Sequence, residues 1–104
     1  MTDVMTRKRD ARNKIIRRKR MIDARLKGTH TREEWLDLVE QFEGRCVLCG
    51  RGGWHLDKDH ILPVYQGGSD SIENIQPLCA RCNAGKGSDS FNWKLFRLKK
   101  GFSE

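Results

Sequence analysis

The chain has 104 residues, a formal net charge of +7 and an apolar fraction of 37%. A chain of this length supports one domain whose hydrophobic core alone leaves it only marginally stable, so a metal or disulfide staple is expected. No apolar run approaches the length of a membrane span, and none follows the charged N-terminus as in a secretory signal. These features argue against a membrane or secreted protein and predict a cytoplasmic one.

The positive charge is concentrated at the N-terminal end of the chain. Residues 1–27 hold eleven Lys or Arg against three Asp, a net of +8, whereas residues 28–104 have a net charge of −1. Such a concentration is typical of nucleic-acid binding, although charge runs also occur as solvated faces. We predict a basic helical arm over residues 1–28 that binds nucleic acid with little sequence preference. Its candidate contacts are Arg7, Lys8, Arg9, Arg12, Lys14, Arg17, Arg18, Lys19 and Arg20.

Two helices are predicted before the first cysteine. Residues 8–27 contain no Gly or Pro and predict the basic helix, with Gly28 as its C-cap. Thr31 and Glu34 have the spacing of a capping box, which predicts the start of a second helix. Its apolar residues recur at the i, i+3, i+4 and i+7 positions of a helix packed on a core. They are Trp35, Leu38, Val39 and Phe42.

Two C-x-x-C pairs, Cys46 with Cys49 and Cys79 with Cys82, stand in the second half of the chain. In a reducing cytoplasm this pairing favours zinc over disulfides, with redox disulfides or unrelated free thiols as the alternatives. Four thiolates fill a tetrahedral zinc site and leave no ligand position open, so the predicted zinc is structural. The 29 residues between the pairs exceed the gap of a simple zinc finger, so further structure is expected there.

The segment between the cysteine pairs is predicted to form a two-stranded ribbon. Residues 54–65 are rich in apolar and β-forming residues, and Gly67-Gly68-Ser69-Asp70 indicates a turn. Asp59 and His60 lie on the first strand or at its bend. Adjacent side chains of a regular strand point to opposite faces, so a bend or bulge is expected if both serve one site. Beyond the ribbon, residues 78–84 predict a short helix.

Three side chains of this region suit the hydrolysis of a phosphodiester, which needs an activated water, a cation on the phosphate oxygens and stabilisation of the leaving oxygen. His60 can accept the proton of the water because an imidazole titrates near neutral pH. Asp59 and Asn83 are oxygen donors suited to a hard ion such as Mg²⁺. The alternatives are an ordinary surface histidine for His60 and a helix-surface role for Asn83.

Four segments between Cys46 and Gly87 combine into a pattern that is specific in residue type and spacing. They are Asp59-His60-Ile61-Leu62-Pro63, Gly67-Gly68-Ser69, Ile72-Glu73-Asn74-Ile75-Gln76-Pro77-Leu78-Cys79, and Cys82-Asn83 through Lys86-Gly87. Together they resemble the HNH endonuclease family. The resemblance implies a small α+β fold with a ββα-metal (treble-clef-like) core, stapled by a four-cysteine zinc site and flanked by helices. It does not cover the basic arm or the C-terminal helix.

The resemblance implies a role for each matched residue. His60 corresponds to the general base, and the amide of Asn74 to the group that braces the ribbon's loop and so orients that base. Asp59 and Asn83 correspond to the ligands of a catalytic divalent ion. Many members have His where this chain has Asn83, so the chain is an H-N-N variant whose oxygen donors favour Mg²⁺ or Mn²⁺. Lys86 is a candidate phosphate contact, with a solvated surface lysine as the alternative. The zinc ligands would be Cys46, Cys49, Cys79 and Cys82.

These patterns predict a metal-dependent endonuclease that hydrolyses DNA phosphodiester bonds and nicks one strand as a monomer. The expected organisation is the arm at 1–28 and a nuclease domain at 29–104, with its core at 46–87 and a C-terminal helix at 90–102. The resemblance implies a bacterial or phage-infected cell, including association with a phage packaging complex. The alternatives are a non-catalytic, zinc-stabilised nucleic-acid-binding module and a nuclease that depends on a larger partner. The choice between DNA and RNA stays open.

Overall fold

The computed structural model describes residues 3–53, 55–87 and 89–102, with side chains from Lys14 onward in those ranges. This part of the chain contains four α-helices and one antiparallel sheet of two strands, which confirms the predicted small α+β class. In chain order the elements are α1 (Asp3–Lys27), α2 (Arg32–Gln41), β1 (Leu56–His60), β2 (Ile75–Cys79), α3 (Ala80–Lys86) and α4 (Trp93–Lys100). Two short 3₁₀ turns, Val64–Gln66 and Ile72–Asn74, lie between the strands.

Helix α1 begins at Asp3, earlier than predicted, because no Gly or Pro interrupts that segment. It ends before Gly28, whose φ of +153° lies in a region that favours glycine. A Cβ added at Gly28 would lie 2.9 Å from the Cβ of Ser71. Ala24, in the last turn, is 1% exposed, and its carbonyl accepts a hydrogen bond from the backbone N–H of Asp70 at 3.1 Å. The end of α1 is therefore packed closely on the loop that precedes β2.

Helix α2 begins with the predicted capping box. The hydroxyl of Thr31 accepts a hydrogen bond from the backbone N–H of Glu34 at 3.0 Å, and the Glu34 carboxylate accepts one from the Thr31 N–H at 2.9 Å. These two bonds satisfy backbone donors that the first helical turn leaves without partners. Leu38 and Phe42 are buried at 7% and 3% exposure, and Trp35 packs against them at the edge of the core.

Strands β1 and β2 pair in an uninterrupted antiparallel register, from Leu56 opposite Cys79 to His60 opposite Ile75. A bend or bulge was expected here. The regular pairing contains no bulge beside Asp59, but the chain bends directly after His60, at Ile61 and Leu62. Asp59 and His60 both line one cleft at this end of β1. Trp54, the first residue of the predicted ribbon, lies outside the described residues.

The hydrophobic core lies between β2, helix α2 and the first cysteine pair. Every residue of β2 is buried, and Ile75 and Leu78 are completely inaccessible to solvent. Such complete burial on both faces explains why this strand shows no alternation of polar and apolar residues. The buried cluster consists of Leu38, Phe42, Cys46, Val47, Ile75, Leu78 and Cys79.

The two C-terminal helices differ slightly from their predicted bounds. Helix α3 begins after Cys79, since β2 continues to that residue. Helix α4 is shorter than the predicted 90–102 because Asn92 caps its start, accepting from the Leu95 N–H at 3.0 Å, and Gly101 ends it with a φ of +68°. None of the helices in the described ranges has both the length and the apolar character needed to cross a bilayer.

Two long polar side chains of helix α4 donate hydrogen bonds to separate parts of the domain. Arg97 donates from Nε to the carbonyl of Val47 and from Nη2 to that of Leu48, both at 2.6 Å. Lys94 donates at 3.1 Å to two carbonyl oxygens of the Ile72–Asn74 turn, and its burial lowers the pKa of the ammonium group. The helix thus supports the first cysteine pair and the turn that precedes β2.

Candidate active site and metal centre

The four cysteines form a compact cluster. Their Sγ atoms all lie within 4.8 Å of one another, and those of Cys49 and Cys79 are 3.9 Å apart. Tetrahedral zinc with Zn–S bonds of about 2.3 Å separates its sulfur ligands by about 3.8 Å. The two C-x-x-C pairs could therefore hold one zinc ion, as their spacing predicted.

Burial and local hydrogen bonding shift the pKa values of three of the four thiols. The backbone N–H of Cys82 stabilises the thiolate of Cys79 and lowers its pKa to about 7. Burial raises the pKa of the thiols of Cys46 and Cys82. A metal binds the thiolate form, so an ion at this cluster must displace the protons of Cys46 and Cys82. The affinity of the cluster for the ion therefore falls as the pH falls.

A cleft of about 470 Å³ lies where β1, α3 and α1 meet. Asp59 and His60 reach it from the end of β1, and Asn83 from α3. Arg17 and Arg20 of α1 line the same cleft. The structure therefore brings Asp59, His60 and Asn83, which were predicted as one set, together in one cleft, with two cations of the basic helix beside them.

His60 has a half-buried carboxylate as its partner. Its Nε2 lies 2.9 Å from Oδ1 of Asp70, with side-chain exposures of 22% and 13%. With Nε2–H donating to the carboxylate, Nδ1 keeps its lone pair and can accept a proton. The ring is thereby fixed in a form suited to a general base.

The Asn74 side chain bonds to the loop between the strands. Its Oδ1 accepts from the backbone N–H of Leu62 at 2.8 Å, and its Nδ2 donates to the carbonyls of Leu62 at 3.0 Å and Ser69 at 2.7 Å. The backbone of Asn74 also accepts from the Ile61 N–H at 2.8 Å. One side chain thus joins both ends of the loop that runs from His60 to Asp70.

Gly68 is required where this loop closes. A Cβ at Gly68 would lie 1.8 Å from the carbonyl oxygen of Leu62 and 2.9 Å from Nδ2 of Asn74. We expect Gly68→Ala to lower the free energy of unfolding by about 3 kcal/mol, the upper end of the usual overpacking cost, measured by urea denaturation. The matched control is Gly85→Ala in α3, where a new Cβ meets nothing within 4 Å. That variant should be about 0.5–1 kcal/mol more stable, and equal effects of the two changes would contradict the prediction.

Asp59 is 8% exposed and has two polar partners. Its Oδ2 accepts from Nε2 of Gln76 at 2.9 Å and from Nζ of Lys86 at 2.8 Å. The Lys86 side chain is 1% exposed, so its ammonium lies inside the site, against the carboxylate, and not on the surface. Gln76 also accepts from the backbone N–H of Trp93 at 2.9 Å, which connects Asp59 to the start of α4.

Asn83 lies one helical turn before Lys86 and faces the same strand. Its Nδ2 donates to Oδ2 of Asp57 at 3.4 Å. Asp57 and Asp59 alternate with Lys58 along β1, so the two carboxylates share a strand face. The carboxyl-rich face of β1 thus meets the amide and the ammonium of α3.

The described basic residues of the helical arm are exposed, and only part of them reach the site. Lys14, Arg17, Arg18, Lys19 and Arg20 are all solvent-accessible. Arg17 and Arg20 line the cleft, and the Arg20 guanidinium lies 5.8 Å from the ring centroid of Tyr65. The side chains of Arg7, Lys8, Arg9 and Arg12 lie outside what the structure describes.

Sequence reasoning missed two side chains of this site. Asp70 was interpreted only as part of a turn, because Gly-Gly-Ser-Asp is a strong turn signal. Gln76 lay inside the matched pattern but carried no separate signal, since a glutamine in a strand is usually a surface residue. Its complete burial is the property that identifies it.

Two comparisons with known proteins agree with this geometry. Residues 46–89 match the HNH endonuclease family, which confirms the resemblance. The chain is also similar to a type IV methyl-directed restriction enzyme, EcoKMcrA, of Escherichia coli, with 30% identity over 54 residues. That similarity covers 44% of this chain and 20% of the restriction enzyme. Both findings support a nuclease.

Proposed function

We propose that this protein is a metal-dependent endonuclease that hydrolyses DNA phosphodiester bonds and nicks one strand as a monomer. The observation that carries the proposal is the single cleft that Asp59, His60 and Asn83 share with Arg17 and Arg20. Pure binding of nucleic acid needs cations but does not need a carboxylate, an amide and an oriented imidazole in the same place. The HNH match and the similarity to a restriction enzyme support the same reaction class.

The oxygen donors of the cleft fit a divalent ion of the Mg²⁺ or Mn²⁺ class. Asp59 supplies a carboxylate. The amide nitrogen of Asn83 is used by Asp57, which leaves the amide oxygen as the ligand atom of that side chain. Hard ions prefer such oxygen donors over sulfur. A divalent ion bound there would neutralise charge on the scissile phosphate and on the departing 3′ oxygen.

The protein's own side chains supply the remaining functions. His60 takes a proton from the attacking water at Nδ1. Its Nε2–H remains hydrogen-bonded to the Asp70 carboxylate. Asn74 keeps the loop from His60 to Asp70 closed, so the imidazole does not rotate away. Arg17 and Arg20 contact the phosphates that flank the cut, and such contacts weaken as salt is raised.

We also propose that the four-cysteine cluster holds structural zinc. The mutual Sγ distances fit a tetrahedral ion, and four sulfur ligands leave no position for water or substrate. Cys79 and Cys82 flank the start of α3, which carries Asn83 and Lys86. Zinc would therefore fix the direction of the helix on which these two residues lie. A phage or bacterial setting, with a packaging complex as partner, stays a prediction from the resemblance.

One observation favours the non-catalytic alternative, a zinc-stabilised nucleic-acid-binding module. The Lys86 ammonium, 2.8 Å from Asp59, already neutralises this carboxylate, so Asp59 has a counter-ion without any divalent metal. If that ion pair persists on DNA, the cleft would bind phosphate without cutting. The two functions differ in a single measurable property, which is metal-dependent strand cleavage.

The test is the conversion of supercoiled plasmid to open circle by the purified protein in EDTA, Mg²⁺ or Mn²⁺. We expect open circles to accumulate with Mg²⁺ or Mn²⁺ and not with EDTA, and linear DNA to appear only late, since a monomer with one site cuts one strand. Plasmid binding is measured in EDTA on the same preparation. Binding without cleavage in either metal would support the binding module and contradict the endonuclease.

A further inference from the structure

We propose that Asp70 is a positioning residue for the reaction: its carboxylate selects the tautomer of His60 and fixes the orientation of the ring. This inference rests on the endonuclease proposed above. The 2.9 Å contact between Nε2 of His60 and Oδ1 of Asp70 carries it. Both side chains are largely buried, so water competes weakly for either partner.

The contact decides which nitrogen of His60 can act as a base. A carboxylate accepts hydrogen bonds and does not donate them, so its partner nitrogen must carry the hydrogen. Nε2 is therefore protonated, and Nδ1 is the basic atom. The proton of the attacking water passes to Nδ1 as the water oxygen bonds to phosphorus. The bond between phosphorus and the 3′ oxygen breaks, and solvent supplies the proton that the 3′ oxygen takes up.

Asp70 is held in place by its backbone, independently of its carboxylate. Its N–H donates to the carbonyls of Ala24 and Gly28, both at 3.1 Å, at the end of α1. Its carbonyl accepts from Nδ1 of His30 at 2.7 Å, and the His30 side chain is 7% exposed. The closely packed Gly28 and Ser71 fix the same junction. The basic helix thus anchors the residue that orients the base.

The carboxylate of Asp70 is directed at side chains and not at the turn that contains it. Among the described residues, its partners are His60 at 2.9 Å, His30 at 3.8 Å and Arg25 at 4.0 Å. The Ile72–Asn74 turn that follows has no side-chain cap. Of these three partners only His60 lies within hydrogen-bond distance of the carboxylate, which points to positioning.

Asp70→Asn tests the inference because it keeps the shape and the backbone anchors and removes the charge. The asparagine amide can donate to Nε2 and so favour the wrong tautomer of His60. We expect kcat for plasmid nicking to fall by about 10- to 1,000-fold, with KM changed by less than about 2-fold. The matched control is Asp37→Asn, an exposed aspartate of α2, which should leave both constants unchanged.

A double-mutant cycle separates positioning from a general effect on the fold. If Asp70 acts through His60, adding Asp70→Asn to His60→Ala should lower the remaining rate by less than about 3-fold. A further loss as large as that in the wild-type background would overturn the inference. An Asp70→Asn enzyme with unchanged kcat would also overturn it.

Nitrogen-15 NMR of histidine-labelled wild-type protein gives a readout that needs no activity and no variant of Asp70. His60, assigned by its loss in His60→Ala, should be in the Nε2–H tautomer. A wild-type His60 in the Nδ1–H tautomer would overturn the inference whatever the kinetics. If the tautomer is as expected but no metal supports nicking, the proposed function fails while the His60–Asp70 pair stands.

Discussion

His60→Ala should lower the rate of plasmid nicking by about 10²–10⁴-fold, the usual contribution of a positioned general base. The variant removes the only imidazole that lines the cleft among the described residues, and with it the acceptor for the proton of water. His60 is 22% exposed in its side chain and lies at the end of β1, outside the buried core cluster. The rate should therefore fall without loss of the fold, and initial rates of open-circle formation measure the effect.

The control for this prediction is His55→Ala, purified in parallel. His55 has an 89% exposed side chain and precedes β1 by one residue, so its removal should leave the rate unchanged. Plasmid binding in EDTA and zinc content should be the same for both variants and the wild type. Equal nicking by wild type and His60→Ala would mean that a contaminating nuclease makes the cuts, and the assignment of the base would be wrong.

The parts of the fold that depend on near neighbours in sequence could be predicted. The capping box of α2 links residues three apart, and each C-x-x-C pair places two thiols on one short loop. The strand at Leu56–His60 lies within the segment predicted to form a ribbon, although its partner, Ile75–Cys79, lies outside it. In each case the determining groups lie within a few residues, so the spacing alone limits the geometry.

Contacts between distant residues could not be predicted in this way. The ion pair of Lys86 with Asp59 joins residues 27 positions apart in the sequence. The hydrogen bond from Arg97 to the Val47 carbonyl joins α4 to the first cysteine pair, with |i−j| = 50. The sequence alone does not indicate that Lys86 is buried, because nearly all lysines are exposed to solvent. Only the packing of α3 against β1 makes Lys86 a partner of Asp59.

The basic helix shows most clearly how packing changes the meaning of a sequence pattern. Its charge predicted an arm that attracts nucleic acid. In the structure, its last turn also holds the backbone of Asp70, and Arg17 and Arg20 line the cleft. The same helix can therefore place a phosphate near His60 and fix the partner of His60. We therefore expect phosphate binding and the positioning of His60 to be coupled through this helix.

Cys82→Ser should remove zinc and unfold the domain. In zinc-finger peptides the metal contributes an apparent binding free energy of about 10–16 kcal/mol, as large as the whole stability of a small domain, about 5–15 kcal/mol. Cys46 and Cys79 are themselves members of the buried core, so loss of the ion leaves buried thiols without their ligand partner. We expect less than one zinc per chain by atomic emission, no cooperative thermal transition, and no nicking.

The control is Arg81→Ala, which alters the exposed residue next to Cys82 and leaves all four ligands in place. It should keep one zinc per chain and the wild-type transition. Removal of zinc from the wild type by a strong chelator should reproduce the Cys82→Ser result, and added zinc should restore nicking. Asn83 follows Cys82 directly, so we expect the cleft to depend on the same ion as the fold. A protein that has lost its zinc and still nicks plasmid at the full rate would contradict this coupling.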